Sequence, residues 1–296
     1  MTTQIFNPQE YYARQGQISD PRDHSLLLDA LPPDIPGIIH AIQGVMLHLH
    51  WAERYGVILT RVRQAEANLR TVKDRLDKIL ALQDGRLTEP RPLSKKTVGT
   101  CRDFALMLTA ILRHQGVPAR ARAGFGTYFN PNRYEDHWVC EYWDRQDSRW
   151  VMVDPQLDAL QCEALSVDFA PLDLPEGKFV TGGQAWLLCQ TKAADPQHFG
   201  IFDMHGLGFI KGNVIRDFLA LNKIELLPWD VFKLIDVSIN KMNPAQKGLI
   251  QRMAQISSGD DCDFLLLRAA FLANQEQLLP DYFLKPHQAK EYYTNE

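Results

Sequence analysis

The sequence contains no dense block of lysine and arginine. Its 32 basic and 36 acidic residues give a net charge of −4, and the isoelectric point is near 6.1. A protein that binds the phosphate backbone of nucleic acid or an anionic membrane usually presents a cluster of positive charge. The composition therefore argues against nucleic acid and against a membrane surface as partners.

A long apolar run is also missing. The longest runs, Phe104 to Leu112 and Phe264 to Ala273, are too short to span a bilayer. The amino-terminal stretch has no basic segment followed by an apolar one, which is the pattern of a secretory signal. We therefore expect a soluble, cytoplasmic protein.

Cysteine is scarce, and its spacing indicates no cluster. The five cysteines are odd in number and form no CxxC motif, so the sequence does not indicate a disulfide framework. At least one thiol must be free of intramolecular pairing. We interpret four of the five as structural: Cys140, Cys162, Cys189 and Cys262.

What the sequence does contain is enough apolar material for a large core. Of its 296 residues, 45% are apolar and 23% are charged, which allows one large domain or two modest ones. An apolar stretch from Ile38 to Leu59 indicates a helix. Apolar residues at steps of three and four predict an amphipathic helix from about Arg61 to Leu82.

A third helix is predicted from Cys101 to His114, and its apolar residues point in nearly every direction. This pattern is typical of a helix enclosed by other elements. Thr100 and Asp103 fit a capping box, which makes the cysteine the first helical residue. Gly116 and Pro118 end the helix.

Strand-like segments follow this helix. The predicted strands are Ala119 to Phe125, His137 to Trp143 and Arg149 to Asp154. The last two are rich in valine, tryptophan and tyrosine and are separated by the polar "DRQDS", which indicates a hairpin.

Beyond about Pro175 the pattern is mainly helical, with Asn243 and Pro244 as an N-cap and first helical residue. The whole indicates an α+β protein. We predict a mainly helical region at 1–60, a core at 61–175 and a mainly helical region at 176–296 that packs on the core.

The position of Cys101 raises the question of whether it is a nucleophile. A thiol at a helix N-terminus lies near unpaired N–H groups, whose partial positive charge favours the thiolate. A nucleophilic cysteine also needs a base, and the base needs an orienting partner. His137 and Asp154, at the ends of two predicted strands, are candidates for these two roles.

The hairpin register decides whether these two side chains meet. If residue numbers across the ladder sum to 291, the loop is Asp144 to Asp147 and His137 lies opposite Asp154 on the same face. Such a register is natural for a four-residue hairpin loop. Cys140 would then point to the other face.

Three motifs, taken in order, resemble the transglutaminase-like superfamily, which shares its papain-like fold with cysteine proteases and peptide N-glycanases. They are the cysteine in "GTCRDFALMLTAILRHQGVPARARAGF", the histidine in "DHWVCEYW" and the aspartate in "RWVMVDP". The resemblance covers about Ala65 to Leu157. It implies a core in which a buried helix, with the cysteine at its N-terminus, packs on a small antiparallel sheet.

The resemblance also implies roles for three residues. Cys101 would be the nucleophile, His137 the general base and then the general acid, and Asp154 the residue that orients the imidazole. The implied reaction forms a thioester on an amide or acyl substrate, which is then released to water or to an amine. The substrate would be a peptide, a protein or a small amide or acyl compound.

The oxyanion needs two hydrogen-bond donors, and the sequence identifies only the Cys101 backbone N–H. Enzymes of this kind often take the second donor from an upstream tryptophan or glutamine side chain. Four upstream residues remain open as that donor: Gln43, Trp51, Gln64 and Asn68.

Other prominent residues have simpler interpretations. Arg102 is read as a solvated charge and Asp103 as the capping partner of Thr100. The tryptophans of "GGQAW" and "LPWD" are read as core or loop packing, with a substrate cleft as the alternative. The sequence shows no clustered ligands for zinc and no calcium loop, so we predict neither a metal nor another cofactor.

Two functions from different classes follow. The first is a transglutaminase-like cysteine enzyme, with hydrolysis favoured over amine transfer because water needs no second binding site. The alternative is a non-catalytic binding module that retains the fold.

Overall fold

The computed structural model describes residues 7–259 and 263–284 and shows a mixed α+β protein. Thirteen α-helices are present in these residues. They are α1 (Pro8–Tyr12), α2 (Ser25–Asp29), α3 (Ile35–Val45), α4 (Arg61–Gln64), α5 (Val72–Leu82), α6 (Cys101–His114), α7 (Ala159–Leu165), α8 (Gly182–Gln190), α9 (Leu207–Leu221), α10 (Lys233–Asp236), α11 (Pro244–Ser257), α12 (Phe264–Leu278) and α13 (Asp281–Leu284). Within the described ranges, no helix has both the length and the apolar character needed to cross a membrane.

In the part of the chain that the structure describes, eight strands form two sheets. They are β1 (Met46–His48), β2 (Thr97–Gly99), β3 (Ala119–Gly126), β4 (Tyr134–Asp144), β5 (Arg149–Val153), β6 (Phe179–Thr181), β7 (Phe199–Ile201) and β8 (Met204–His205). The larger sheet has the order β6-β3-β4-β7-β8, and β5 pairs with β4 beside β7. Strand β4 is therefore central, with β3 on one side and β5 and β7 on the other.

The smaller sheet is the parallel pair β1–β2, in which His48 lies opposite Gly99. Its second strand leads directly into α6. The apolar stretch that predicted one helix over Ile38 to Leu59 is thus divided: α3 ends at Val45, because the next residues pair with β2 instead of continuing the helix.

The helix predicted from Arg61 to Leu82 is also divided. Helix α4 ends at Gln64, a 3-10 turn follows, and Leu69 is extended. A new helix then begins because the Thr71 side chain accepts a hydrogen bond from the Asp74 N–H, as an N-cap does. Apolar periodicity ran through this break, so it did not reveal the second start.

Helix α6 has the predicted bounds and is buried on almost every side. It packs on β3 and β4, and α3 contacts it from the amino-terminal region. The predicted start of α11, with Asn243 as N-cap and Pro244 as first helical residue, is confirmed.

The predicted hairpin register is wrong by two residues. Cys140 pairs with Val153 and Asp144 with Arg149, so residue numbers across the ladder sum to 293 rather than 291. The loop still has four residues, but it begins one position later, at Arg145. A two-residue shift leaves every side chain on its predicted face, because side chains alternate with a period of two.

A buried ionic network joins the sheet to α9. Asp217 accepts two hydrogen bonds from Arg122, from Nε at 2.9 Å and Nη2 at 3.0 Å, and one from the Ala123 N–H at 3.0 Å. Arg122 also donates to Glu141 on the neighbouring strand at 3.0 Å. Charges inside a protein are stable only when each has a partner.

We expect Asp217→Ala to lower the free energy of unfolding by about 3–5 kcal/mol, since it leaves Arg122 buried beside a cavity with half its partners. Asp173→Ala is the matched control. It breaks the exposed Asp173–Arg149 pair and should cost at most about 1 kcal/mol. Urea denaturation of both variants measures the difference. Equal losses would contradict the central role of the network.

Candidate functional site

Cys101 is the first residue of α6, and the turn that carries it is held by Asp103. The Asp103 carboxylate accepts a hydrogen bond from the Thr100 N–H at 2.8 Å, so its half of the predicted capping box is present. It also pairs with Arg75 at 3.0 Å and with Arg102 at 2.9 Å. These bonds fix the N-terminus of the helix around the half-buried cysteine.

The interpretation of Arg102 as a solvated charge is wrong. Its side chain is 1% exposed, and it donates to the backbone carbonyls of Arg70 at 2.7 Å and Glu225 at 3.1 Å. The arginine links the first turn of α6 to the segment after α9. Sequence position alone gave no sign of this, because Glu225 lies 123 residues away.

His137 lies within β4 and not at its first residue, since the strand starts at Tyr134. Its Nε2 is 2.8 Å from Asp154 Oδ2, and both side chains are buried. In the observed register Asp154 lies beyond the end of β5, diagonally from the histidine. The imidazole spans that diagonal, which is why the contact survives the register change.

Asp154 is held in one orientation by its other hydrogen bonds. Oδ2 also accepts from the Tyr128 hydroxyl at 2.6 Å, and Oδ1 accepts from the Gln156 N–H at 3.0 Å. The Asp154 N–H donates to the Pro171 carbonyl at 2.9 Å. Because the Asp154 carboxylate is held in place by these bonds, it also holds the His137 imidazole in one orientation.

Two aromatic rings pack against the imidazole. The Phe129 ring centroid is 4.7 Å from that of His137, and the Tyr128 centroid is 5.9 Å away, both with the rings steeply inclined. These residues lie in the loop between β3 and β4. Sequence reasoning missed them, because a Tyr-Phe pair before an Asn-Pro turn carries no signal of this contact.

The imidazole also contacts the thiol. The two side chains are close enough that each shifts the pKa of the other: His137 lowers that of Cys101, and Cys101 raises that of His137. Because Nε2 faces Asp154, Nδ1 is the ring nitrogen left for the sulfur. The structure thus brings together all three residues singled out from the sequence.

Electrostatics among Cys101, His137 and Asp154 favour a charged imidazole. Burial is the largest single effect and lowers the pKa of His137, but the charge and hydrogen bond of Asp154 and the contact with Cys101 together outweigh it, and the pKa rises to about 10. For Cys101, burial raises the pKa above its ordinary value, while His137 and the Trp138 backbone act in the opposite direction. The lowered thiol pKa expected from the helix N-terminus is therefore not found, because desolvation is larger.

The thiol faces a cleft of about 510 Å³, which we call the Cys101 cleft. Of the four upstream donor candidates, only Trp51 lines it; Gln43 instead donates to the Pro155 carbonyl at 3.1 Å. The lining residues are His48, His50, Trp51, Thr100, Cys101, Phe129, Glu135, Asp136, His137, Gln156, Ile201, Phe202, Met204, His205, Gly208, Phe209, Gly212, Arg216, Pro228, Trp229, Val231 and Ile235.

His48 also lines the cleft, although the sequence indicated for it only an unfavourable metal pair with His50 and no place beside Cys101. It is 6% exposed, and burial lowers its pKa well below the ordinary value, so the ring is neutral. Its Nδ1 has no hydrogen-bond partner among the described residues. The parallel pairing of β1 with β2 brings it beside the start of α6, and no local sequence pattern predicts that pairing.

The remaining prominent residues divide between core and cleft. Trp229 of "LPWD" lines the Cys101 cleft, as the alternative interpretation had it, while Trp186 of "GGQAW" is packed in the core. Cys140 is buried, and its sulfur accepts from the Thr109 hydroxyl at 3.3 Å. Burial raises the pKa of Cys140 to about 12. Cys262 lies outside the described residues.

Comparison with known proteins gives one distant structure. No curated protein matches the chain at a significant level. The crystal structure of a "putative cysteine protease" from Cytophaga hutchinsonii matches 52% of this chain and 43% of that one, with 14% identity and a TM-score of 0.34. The chain thus spans less than half of that protein's length, and so distant a likeness indicates no activity.

A family match gives the decisive comparison. Residues 57–155 match the transglutaminase-like superfamily. The matched segment includes Cys101, His137 and Asp154, the whole of α6, and strands β3 to β5. This chain therefore contains a transglutaminase-like superfamily domain, built on a mixed α+β fold.

Proposed function

We propose that the chain is a cysteine-dependent acyl-transfer enzyme in which Cys101, His137 and Asp154 form the catalytic triad. The observation that carries this proposal is the buried hydrogen bond between His137 and Asp154, with the Cys101 thiol lining the same cleft as that imidazole and shifting its pKa. A nucleophile, a proton carrier and an orienting group in contact are the parts that acyl transfer requires.

In the reactive form, the Cys101–His137 pair carries one proton, and that proton is on the imidazole. Asp154 stabilises the imidazolium, and the raised pKa of His137 reflects this effect. The thiolate attacks the carbonyl carbon of an amide, forming the S–C bond and a tetrahedral oxyanion. His137 then gives its proton to the amine nitrogen, the C–N bond breaks, and a thioester remains on Cys101.

The second half-reaction restores the enzyme. Neutral His137 accepts a proton from an attacking water or amine, the new bond forms at the carbonyl carbon, and the S–C bond breaks. Water yields a carboxylic acid, and an amine yields a new amide. We favour hydrolysis, because water needs no second binding site and the triad alone can activate it.

The oxyanion can be bound at the start of α6. The first N–H groups of a helix have no partner within the helix, and the Cys101 N–H is among them. Trp51 and His48 both line the cleft beside the thiol and carry ring N–H groups that can serve as the second donor. Gln43 is engaged with a backbone carbonyl and does not line the cleft.

A first test is acylation by an activated ester, read by intact-protein mass spectrometry. We expect one acyl adduct on the wild-type chain and a loss of at least about a thousandfold in rate with Cys101→Ser, because the hydroxyl is a far weaker nucleophile here. Cys189→Ser, which changes a partly exposed cysteine outside the cleft, is the matched control. An adduct that persists in Cys101→Ser would refute the assignment.

A second test concerns pH. Asp154→Asn removes the carboxylate that stabilises the imidazolium, so the pKa of His137 should fall from about 10 by at least one unit. The proton is then lost at lower pH, and the alkaline limb of the kcat/KM profile should move to lower pH with it. NMR titration of nitrogen-15-labelled histidine measures the pKa directly.

The control for this titration is Asp77→Asn, which removes the carboxylate beside His24, far from the triad. It should leave both the His137 signal and the alkaline limb unchanged. A His137 pKa that is the same in Asp154→Asn and in the wild type would contradict the proposed role of the carboxylate.

A further inference from the structure

We propose that the Cys101 cleft selects substrates whose acyl group carries a bulky apolar side chain, aromatic or branched aliphatic, held between helix α9 and the Trp229 segment. This inference rests on the proposed function and adds a substrate class to it. It concerns the acyl side of the reactive bond and not the leaving amine.

The first support is the character of the cleft wall. Beyond the triad, three separate segments contribute mostly apolar side chains. They are the β3–β4 loop with Phe129, the stretch from β7 into α9 with Ile201, Phe202, Met204 and Phe209, and the stretch leading into α10 with Pro228, Trp229, Val231 and, within the helix, Ile235. A wall of this kind binds apolar groups, and a few polar groups at one end orient them.

The second support is the exposure of that wall. Phe202 is 63% exposed, Met204 51%, Trp229 44% and Val231 60%. Exposure of large apolar side chains to water is unfavourable, and a ligand that covers them gains free energy by burying their surface. An acyl group seated there would be buried by the same side chains that are now exposed.

The third support is a pair of glycines on α9. Gly208 and Gly212 are four residues apart, so they share one helix face, and both line the cleft. A Cβ added at Gly208 would meet no atom within 4 Å. At Gly212 the added Cβ would meet Arg216 Nη1 at 2.7 Å, so the open space lies beside Gly208. Glycine lowers helix stability relative to alanine, so this space is kept at some loss of helix stability.

The carboxyl groups of the cleft are hydrogen-bonded to neighbouring side chains, whereas the buried Arg216 Nε has no hydrogen-bond partner among the described residues. Glu135 and Asp136 directly precede His137, and Asp136 accepts a hydrogen bond from Asn213 at 2.6 Å. Arg216 donates to the Asp230 carbonyl at 3.1 Å and lies over Gly212. Of the histidines, His48 is neutral, and His50 packs edge-on to Phe202 with centroids 5.1 Å apart.

The occupant should be the acyl group because of the order of the two half-reactions. The amine must leave, and water or another amine must enter, while the acyl group stays bonded to Cys101 throughout. An apolar wall can hold the acyl group, which remains bonded to Cys101. The same wall at the position of the leaving amine would slow the exchange of that amine for water or another amine. Apolar selectivity should therefore follow the acyl side of the substrate.

The experiment compares p-nitrophenyl esters with one leaving group and three acyl groups: acetyl, 3-methylbutanoyl and 3-phenylpropanoyl. We expect acylation of Cys101 to be about a hundredfold faster for 3-phenylpropanoyl than for acetyl, with the branched ester between them. A second series, in which the acyl group is fixed and the leaving phenol varies in size, should show no comparable gain at equal phenol pKa.

Variants at the wall test the location. Gly208→Leu projects a side chain into the open space, so the 3-phenylpropanoyl to acetyl rate ratio should fall at least tenfold; Trp229→Ala should lower the same ratio. The ratio is internally normalised, so a variant that is partly unfolded lowers both rates and leaves it unchanged. Gly248→Leu is the matched control: it is another helical glycine, its Cβ would meet only the Arg252 side chain at 3.5 Å, and it lies outside the cleft.

The outcomes separate the two proposals. Equal acylation by all three esters would overturn the apolar selectivity and leave the triad intact. A gain that follows the leaving group instead would overturn the assignment to the acyl side. If no ester acylates Cys101, the proposed function fails, and the substrate class fails with it.

Discussion

The position of the candidate nucleophile depends on buried charge pairs that hold α6 at both of its ends. At the first turn, Asp103 and Arg102 are paired with each other, and the arginine also reaches the Glu225 carbonyl. At the last turn, Arg113 donates to the Glu225 carboxylate at 3.1 Å. Glu225, which follows α9, thus receives hydrogen bonds from both ends of the helix that carries Cys101, so that helix and the segment after α9 are energetically coupled.

Such pairs do more to select one arrangement than to add stability. Moving two charges out of water costs several kcal/mol, and only well-formed hydrogen bonds recover that cost. The Arg122–Asp217–Glu141 network meets this condition, since its carboxylates have several donors each. Apolar side chains could pack in more than one register, whereas a buried arginine with fixed partners permits one. The sheet that carries His137 is therefore aligned with α9, which forms a wall of the cleft.

Elements of the fold could be predicted from the sequence where the residues that determine them lie close together in the chain. The bounds of α6 and the start of α11 were correct, because capping residues act within one turn. The β1–β2 pair and the burial of Arg102 depend on partners tens of residues away. The break between α4 and α5 was missed for another reason: apolar periodicity runs through it, although the Thr71 cap that starts α5 is local. The predicted hairpin register was wrong by two residues, yet each side chain lies on its predicted face of the sheet. Side chains alternate between the two faces, so the sequence pattern shows which residues share a face but not which residues pair across the strands.

The candidate site shows the same division. Cys101, His137 and Asp154 were found from spacing and resemblance, and the side chains meet. The thiol pKa was misjudged, because a helix terminus is visible in the sequence whereas burial of the sulfur is not. His48, Tyr128 and Phe129 were missed, because each reaches the site through a loop or a short strand whose path the sequence leaves open.

In the proposed reaction, burial of Cys101, His137 and Asp154 beneath an apolar cleft would affect the fate of the thioester. An apolar acyl group over Cys101 would exclude water, and electrostatic interactions strengthen where water is excluded, so Asp154 would stabilise the imidazolium more firmly with substrate bound. The same exclusion would restrict the water needed for hydrolysis. The nucleophile that completes the proposed reaction would therefore approach along the polar side of the cleft, where Glu135 and Asp136, which directly precede His137, line the wall. Burial raises the pKa of both carboxyl groups. The access that this side of the cleft gives to water or to an amine would decide between hydrolysis and amine transfer.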